Sequence, residues 1–255
     1  MTNIKKMKPK AEIPRLRMFA GPNGSGKTTI KNGLNFPSSW FGIYINPDEL
    51  EMSIRTNSEI SLESFNLSFT EDELKSFFKT SPLLIMNELN LDSANAIQLK
   101  VMSLSFKNLN INSYHMSVLA DFLRHRALLE KKSFTFETVM SHPDKAELLK
   151  YAQQIGYRTY LYFIATEDPE INIYRVKNRI SQGGHAVPND KIVERYYRSI
   201  DQLPKAIQYA NRAFLFDTSE AQSKYFCSCE NGKIVQLEVI DIPAWFQEII
   251  DKIRP

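Results

Sequence analysis

A glycine-rich stretch near the start of the sequence has the residue types and the spacing of a phosphate-binding loop. Residues 21–28 read GPNGSGKT, so that Lys27 and Thr28 directly follow the second of two glycines separated by four residues. Glycines let the backbone wrap around an anion with successive N–H groups pointing inward, and the start of a helix adds partial positive charge. Lys27 can then reach the β- and γ-phosphates, and the Thr28 hydroxyl can hold Mg²⁺. The pattern predicts binding of a nucleoside triphosphate.

The surroundings of the loop support this prediction. An apolar run at 16–20 precedes it and a helix is predicted from Thr28, which gives the strand–loop–helix order that such loops need. A mere glycine-rich turn would leave Lys27 and Thr28 at this offset unexplained. The sequence has no N-K-x-D motif of the kind that reads guanine, so we expect ATP with Mg²⁺ held by Thr28. The predicted cofactor-binding residues are Gly21, Pro22, Asn23, Gly24, Ser25, Gly26, Lys27, Thr28 and Thr29.

Acidic residues follow two of the other predicted strands. Asp48 and Glu49 come after the strand predicted at 40–45, where Pro47 takes the chain out of the sheet. Because ligands of open α/β sheets bind outside the carboxyl ends of the strands, Asp48 is expected to face the γ-phosphate. There it could accept the proton of a substrate hydroxyl, or it could simply cap the helix after Pro47. The sequence leaves both interpretations open.

Glu137 is a charged residue in the otherwise apolar strand predicted at 133–139. An unpaired carboxylate is costly to bury, so we expect Glu137 to lie at the end of the strand, where it contacts substrate or metal. A structural ion pair is the alternative. The predicted substrate-binding residues are Asp48, Glu49, Glu137 and Thr138.

Basic residues are concentrated around a Gly-Gly hinge in the segment 175–198. Such arginines can close over the phosphates as a lid and stabilise transition-state charge, or they can lie on solvated helix faces beside acidic partners. Lys27, Asp48, Arg179 and Arg195 are the residues predicted to be catalytic. The second lid charge remains open between His185, Arg195 and Arg198. No histidine has a partner at ligand spacing, and His115 and His125 are expected on a helix surface.

The elements that must position these residues are strands alternating with helices, which predicts an α/β fold with a mostly parallel sheet and helices on both faces. A helical insertion is predicted at about 53–112, with one helix from a Thr70–Glu73 capping box and another from Asp92 through Leu104. Helices are also expected at 116–128, 143–155, 168–181 and 188–200. A β-hairpin that turns at Asn231-Gly232 and a short helix form the tail, about 225–255. We expect one domain over 1–255.

The bulk composition excludes several classes of protein. A net charge of +3 gives little reason to expect nucleic acid, and no apolar stretch of about 18 residues is present, so no membrane partner is expected. Cys227 and Cys229 lie on one face of a predicted strand without a second Cys/His pair, which indicates neither a disulfide nor a zinc site. Reduced thiols of this kind predict a cytoplasmic location.

Four motifs together make the sequence resemble the zeta toxin family of P-loop kinases. They are GPNGSGKTT (21–29), INPDE (45–49), FETVMS (136–141) and RVKNRISQGGHAVPNDKIVERYYRS (175–199). The NPDE and GGHxVP versions are typical of a branch whose members often carry the description predicted ATPase.

The resemblance implies a three-layer P-loop kinase fold and transfer of the ATP γ-phosphoryl group to a sugar hydroxyl of UDP-N-acetylglucosamine. It also implies a small helical antitoxin as partner. By position, Asp48 matches the family's general base, Glu137 and Thr138 match an acid–threonine pair at the substrate site, and Arg179 matches the first lid arginine. The glycine usual between Glu137 and Thr138 is absent here.

Two other functions remain as alternatives. The chain could be an ATP-binding or ATPase module that acts through protein partners, in which case Asp48 would be dispensable. A polynucleotide kinase is less favoured, because the basic residues are concentrated in the lid and not along a groove with interleaved aromatic residues.

Overall fold

A computed structural model describes residues 12–181, 186–238 and 242–253 of the chain. Within these residues, a seven-stranded sheet has the order β10-β9-β8-β7-β1-β6-β2, and a three-stranded sheet has the order β3-β5-β4. The strands are β1 (Arg15–Ala20), β2 (Ile43–Ile45), β3 (Ile60–Ser61), β4 (Ile97–Leu99), β5 (Ser103–Phe106), β6 (Phe134–Thr138), β7 (Arg158–Ala165), β8 (Arg212–Asp217), β9 (Lys224–Glu230) and β10 (Lys233–Leu237).

Helices lie between the strands of both sheets and after the last strand. They are α1 (Lys27–Gly33), α2 (Ser38–Phe41), α3 (Pro47–Asn57), α4 (Glu71–Thr80), α5 (Pro82–Ile85), α6 (Asn90–Ala96), α7 (Ser113–Leu129), α8 (Asp144–Gln154), α9 (Pro169–Ser181), α10 (Asn189–Gln208) and α11 (Ala244–Ile253). Strands β2, β6, β1, β7 and β8 are parallel, and β9 and β10 continue the sheet antiparallel. This confirms the predicted α/β fold with a mostly parallel sheet.

Alternation along the strands divides the core between the two faces of the sheet. Met18 belongs to the main core, which also holds buried residues of α7, α8, α10 and α11. Phe19, one position later, points to the other face, where it packs with Ile30 of α1 and Tyr162 of β7. A strand that is buried on both faces is largely apolar, as residues 16–20 are except for Arg17, whose guanidinium lies over the ring of Trp40.

The insertion combines helices with a small antiparallel sheet, which differs from the expectation of helices alone. The helix from the Thr70–Glu73 capping box is present as α4. The helix expected from Asp92 through Leu104 is wrong: α6 ends at Ala96, and β4 and β5 then pair antiparallel. Alternation from Ile97 to Phe106 places Ile97 and Leu104 in the core, and this burial outweighs helix propensity.

Two other predicted boundaries and the predicted exposure of one histidine differ in the structure. The strand expected at 40–45 is only β2, because Trp40 lies in the short helix α2. The helix expected at 188–200 continues as α10 to Gln208 through Pro204, since Leu203 and Ile207 are buried in the core. His115 is fully buried and not on the helix surface, because its Nδ1 accepts a hydrogen bond from the Asn112 N–H in a capping box; His125 is exposed as expected.

The tail has the predicted form within the described residues. The hairpin of β9 and β10 turns at Asn231 and Gly232, and α11 docks Trp245 and Phe246 onto the core. Cys227 and Cys229 are buried, unbridged thiols. Among the described residues, no helix combines the length and the apolar composition needed to cross a bilayer.

Candidate active site

The phosphate loop, residues 21–26, leaves the carboxyl end of β1 and enters α1 in a conformation that depends on glycine. Gly21 has φ +144°, and a Cβ there would lie 1.9 Å from the carbonyl oxygen of Ile164. Gly24 has φ +74°, and its Cβ would lie 2.7 Å from the carbonyl oxygen of Asn172. Both positions combine a left-handed backbone with a close backbone neighbour, so neither tolerates a larger residue without displacement of the loop.

Two polar residues from the second half of the chain fix the loop from outside. Asn172, fully buried on α9, donates through Nδ2 to the carbonyl oxygen of Asn23 at 2.6 Å. The Thr218 hydroxyl, just after β8, lies 2.9 Å from the carbonyl oxygen of Ser25. Arg175 in turn donates through Nη2 to the Thr218 carbonyl oxygen at 2.6 Å. The loop is therefore held in shape by α9 and by the end of β8.

Lys27 turns back onto the loop. Its Nζ donates to the carbonyl oxygens of Gly21 at 2.9 Å and Pro22 at 2.8 Å. The pKa of Lys27 is lowered to about 8, chiefly by burial. The negative charges of Glu137 and Asp48 act to raise this pKa, and the positive charge of Arg179 acts to lower it. A polyanion beside Nζ would favour the charged form and raise this pKa again.

The interior of the loop offers polar groups without partners. Ser25 Oγ and Asn23 Oδ1 are buried, and neither has a hydrogen-bond partner among the described residues. A Cβ on Gly21 would come within 3.0 Å of Ser25 Oγ, which places this hydroxyl on the inner side of the loop. A buried hydroxyl without an acceptor is costly in the free protein and is available as a donor to a phosphate oxygen. The loop fits a bound phosphate group.

Glu137 joins the loop to the neighbouring strand β6. Its Oε2 accepts a hydrogen bond of 2.8 Å from the Thr28 hydroxyl. Hydroxyl and carboxylate oxygens are ligands that Mg²⁺ prefers, and Mg²⁺ in phosphate-transfer sites needs few protein ligands because it keeps water and phosphate oxygens. Thr28 and Glu137 therefore fit a Mg²⁺ ion. Glu137 makes no ion pair within the described residues, so the alternative of a structural ion pair finds no support there.

Tyr44 and Asn46 extend this contact toward the start of α3. The Tyr44 hydroxyl donates to Oε1 of Glu137 at 2.5 Å, and Asn46 Nδ2 donates to the Tyr44 oxygen at 3.1 Å. Asn46 Oδ1 accepts the Asp48 N–H at 3.0 Å and thereby caps α3. Asn46, and not Asp48, therefore supplies the helix cap that the sequence left open.

Asp48 lies in the first turn of α3, three residues beyond the end of β2. Its carboxylate is exposed, and Oδ2 lies 4.0 Å from Nη1 of Arg179 at the end of α9. The predicted general base and the first predicted lid arginine thus face each other across the mouth of the cleft. This geometry leaves the Asp48 carboxylate accessible to an incoming hydroxyl.

The two other predicted substrate residues lie at the same edge of the sheet. Glu49 follows Asp48 on α3. Partial burial raises the pKa of the Glu49 carboxyl; the charge of Lys31 lowers this pKa, and the charges of Glu137 and Asp48 raise it. Thr138 ends β6, and its Oγ1 accepts the Met140 N–H at 3.2 Å. Its carbonyl oxygen accepts the Gly21 N–H at 3.2 Å, which ties this strand end to the phosphate loop.

The lid region is described in part. Arg198 forms an ion pair with Glu194 at 2.7 Å on the surface of α10. Arg195 is half-buried on the same helix and makes no ion pair with any residue that the structure describes. His185 lies outside the described residues. Helices α9 and α10 pack together through Ile173, Val176 and Ile192.

Several residues that contact the site were not among those predicted from the sequence. Asn46 could have been found, since Asn followed by Pro and two acidic residues is a recognisable helix start. Tyr44 carries no such signal, because an aromatic residue in a strand is ordinary. Asn172 and Thr218 act through contacts with a loop that lies 149 and 193 positions earlier in the chain, which no local pattern reveals.

Comparison with known proteins matches part of the chain to a described family. Residues 107–220 match the family model described as Zeta toxin. The matched part includes Glu137 and Arg179, whereas the phosphate loop and Asp48 precede it. An uncharacterized protein of Haemophilus influenzae is 31% identical over 74 residues, which are 29% of this chain and 53% of that protein. The chain thus spans about half the length of the curated relative that it matches.

Solved structures share the fold. The AvrRxo1-ORF1:AvrRxo1-ORF2 complex with sulphate ions matches with a TM-score of 0.52 at 15% identity, covering 94% of this chain and 63% of that chain. The AvrRxo1-ORF1:-ORF2 complex with ATP matches with a TM-score of 0.50 at 14% identity, covering 88% of this chain and 60% of that chain. These matches agree with the resemblance drawn from the sequence: residues 107–220 match the zeta toxin family model, and the chain shares the fold of these solved structures.

Proposed function

We propose that this protein is a Mg²⁺-dependent kinase that transfers the γ-phosphoryl group of ATP to a hydroxyl of a small substrate. The observation that supports this most directly is the arrangement of three groups at one edge of the sheet. They are the phosphate loop with Lys27, the Thr28–Glu137 pair, and the Asp48–Arg179 pair 4.0 Å apart across the cleft. A nucleotide-binding module without transfer chemistry would need only the first of these.

In this proposal the loop binds the phosphates. Backbone N–H groups and the Ser25 hydroxyl donate to phosphate oxygens, and Lys27 exchanges the carbonyl oxygens of Gly21 and Pro22 for oxygens of the β- and γ-phosphates. Thr28 and Glu137 would hold Mg²⁺. When bound, the metal neutralises charge that develops on the phosphate oxygens. The polyanion keeps Lys27 protonated although burial has lowered its pKa to about 8.

Asp48 and Arg179 act on the reacting oxygens. Asp48 accepts the proton of the acceptor hydroxyl while the hydroxyl oxygen bonds to the γ-phosphorus. The bond between the γ-phosphorus and the bridging β–γ oxygen breaks at the same time, and ADP leaves. Arg179 stabilises the charge on the transferred group. The exposed carboxylate of Asp48 suits an acceptor that arrives from solvent.

For the acceptor we propose UDP-N-acetylglucosamine or another nucleotide sugar, on the strength of the zeta toxin domain at residues 107–220. We also propose a small protein partner of the antitoxin kind. This second proposal is supported by the structural neighbour, which belongs to the AvrRxo1-ORF1:AvrRxo1-ORF2 complex.

The experiment is a transfer assay with γ-labelled ATP, Mg²⁺ and a panel of sugar nucleotides, led by UDP-N-acetylglucosamine. It compares the wild-type protein with Asp48→Asn. We expect the variant to lose phosphoryl transfer by two to four orders of magnitude, about the value of a general base, and to bind ATP as before. Asp72→Asn is a matched control, since Asp72 is likewise an exposed aspartate in the second position of a helix, α4.

The same assay separates the proposal from its alternative. Equal transfer by Asp48→Asn and Asp72→Asn would remove the general-base role of Asp48. ATP binding with hydrolysis but without transfer to any acceptor of the panel, unchanged in Asp48→Asn, would favour an ATPase module that acts through protein partners.

A further inference from the structure

A chain of hydrogen bonds runs from the phosphate loop to the helix that carries Asp48. The Thr28 hydroxyl donates to Oε2 of Glu137, and the Tyr44 hydroxyl donates to Oε1 of the same carboxylate. Asn46 donates to the Tyr44 oxygen and accepts the N–H of Asp48. No part of the proposed phosphoryl transfer uses Tyr44, although its hydroxyl makes one of the two contacts that orient Glu137.

We propose that Tyr44 is a positioning residue for the metal: it holds Oε1 of Glu137 and so keeps Oε2 beside Thr28, where Mg²⁺ would be held. The inference rests on the proposed function only in its choice of Mg²⁺ and ATP. It does not depend on the acceptor or on Asp48 as a base.

The direction of the hydrogen bond follows from the chemistry of the phenol. Burial, followed by the charge of Glu137 and the hydrogen bond to it, raises the pKa of Tyr44, which agrees with a neutral phenol as the donor to Glu137. Asn46 Nδ2 can only donate, and it therefore occupies a lone pair of the Tyr44 oxygen and leaves the phenolic proton for Glu137. A hydrogen bond to a carboxylate is among the stronger ones in proteins.

The ring of Tyr44 is fixed independently of its hydroxyl. The ammonium of Lys31, on α1, lies 3.7 Å from the centre of the ring. Tyr44→Phe keeps this cation–π contact and the packing of the ring, and removes only the donor to Glu137. Because outer partners of metal-binding side chains typically contribute about 10- to 100-fold to metal affinity, the loss should be measurable.

The experiment follows Mg²⁺-dependent binding of a fluorescent N-methylanthraniloyl ATP to the whole protein, with Mg²⁺ titrated at constant nucleotide and no acceptor present. We expect Tyr44→Phe to raise the Mg²⁺ concentration for half-maximal binding by about tenfold or more. Binding of the nucleotide in EDTA should stay within about twofold of the wild-type value, because Lys27 and the loop are untouched.

Tyr157→Phe is the matched control. It removes a buried phenol that donates to the carbonyl oxygens of Ala127 and Lys132, remote from the phosphate loop. We expect it to lower the melting temperature and to leave the Mg²⁺ titration unchanged. A merely structural Tyr44 would behave in the same way.

Asn46→Ser is a second variant that keeps the test decisive if Tyr44→Phe fails to fold. Serine caps α3 as well as asparagine does, but its shorter side chain has no amide N–H to reach the Tyr44 oxygen, so we expect a smaller shift of the Mg²⁺ titration in the same direction. Titrations of both variants within about twofold of the wild type overturn the inference, as does nucleotide binding by the wild type that ignores Mg²⁺. Failure to phosphorylate any acceptor contradicts only the proposed function.

Discussion

Arg179 and Asp48 meet across the cleft, with 4.0 Å between Nη1 and Oδ2. Arg179 lies near the end of α9, and Asp48 lies in the first turn of α3, so the contact joins the two sides of the site. The guanidinium is 43% exposed and the carboxylate 68%, which makes this a loose, solvated contact and not a buried ion pair. The Asp48 carboxylate is therefore accessible to a substrate that enters beside it.

The first prediction concerns Arg179. We expect Arg179→Gln to lower kcat by about 10³-fold, because the charge on the transferred phosphoryl group loses its cation. The measurement is kcat and KM in the labelled-ATP assay. Arg179→Lys, which keeps the charge but not the planar fork, should recover part of kcat. A rise in KM for ATP with kcat unchanged would assign Arg179 to ground-state binding.

The second prediction distinguishes the lid arginines of α10. Arg198 is held by Glu194, whereas half-buried Arg195 makes no ion pair with a described residue. We expect Arg195→Gln to lower kcat by about tenfold or more and Arg198→Gln to change it by less than twofold, since a guanidinium in a surface ion pair contributes little. The reverse order of the two effects would make Arg198 the second lid charge.

The third prediction is a pH dependence of ATP binding. Because burial lowers the pKa of Lys27 to about 8, the free protein loses the Lys27 charge as the pH rises through that value. ATP favours the charged form, so the dissociation constant should increase by about tenfold between about pH 7 and about pH 9. Isothermal titration calorimetry checks this. Lys27→Met should bind more weakly and without this pH dependence.

The pH dependence of the free energy of unfolding tests the lowered pKa of Lys27 independently of ATP binding. The pKa of Lys27 is lower in the folded state than its ordinary value, so the unfolded state binds more protons between about pH 8 and about pH 10.5. The free energy of unfolding of the wild type should therefore gain about 3 kcal/mol relative to Lys27→Met as the pH rises across this window. A stability difference that stays constant with pH would contradict the assigned shift.

The fourth prediction concerns the docking of α11. Trp245 donates through Nε1 to Oδ2 of the buried Asp217 at 2.8 Å. We expect Trp245→Phe to lower the free energy of unfolding by about 1–3 kcal/mol, because the carboxylate loses a buried donor. Urea denaturation measures this, and a double-mutant cycle with Asp217→Ala, which removes the acceptor, isolates the contact. Coupling near zero in that cycle would show that Trp245 acts through packing alone.

Sequence patterns single out the residues at the centre of the proposed site but not the residues that support them. A local motif predicts the roles of Lys27 and Thr28. Glu137 is conspicuous because a charge inside an apolar strand is costly to bury without a partner. Tyr44 and Thr218 do not stand out, because their roles depend on which strands become neighbours in the sheet. That order is decided by packing over the whole chain.

Local sequence patterns also gave wrong predictions in and after the insertion. The segment from Asp92 to Leu104 has helix-forming residues, but burial of Ile97 and Leu104 favours two antiparallel strands after Ala96. His115 has the type of a surface residue and is nevertheless buried, because it completes a capping box with Asn112. Burial in the core thus outweighs local helix preference at Ile97 and Leu104, whereas a local capping contact accounts for His115.

The contact between Thr218 and Ser25 bears on how the protein is made. The phosphate loop is encoded before residue 30, but the hydroxyl that fixes its carbonyl oxygen comes 193 positions later. A chain growing from its N-terminus therefore has the glycines and Lys27 long before it has their support. The support that Thr218 gives to the loop can form only once β8 has joined the sheet, late in the synthesis of the chain.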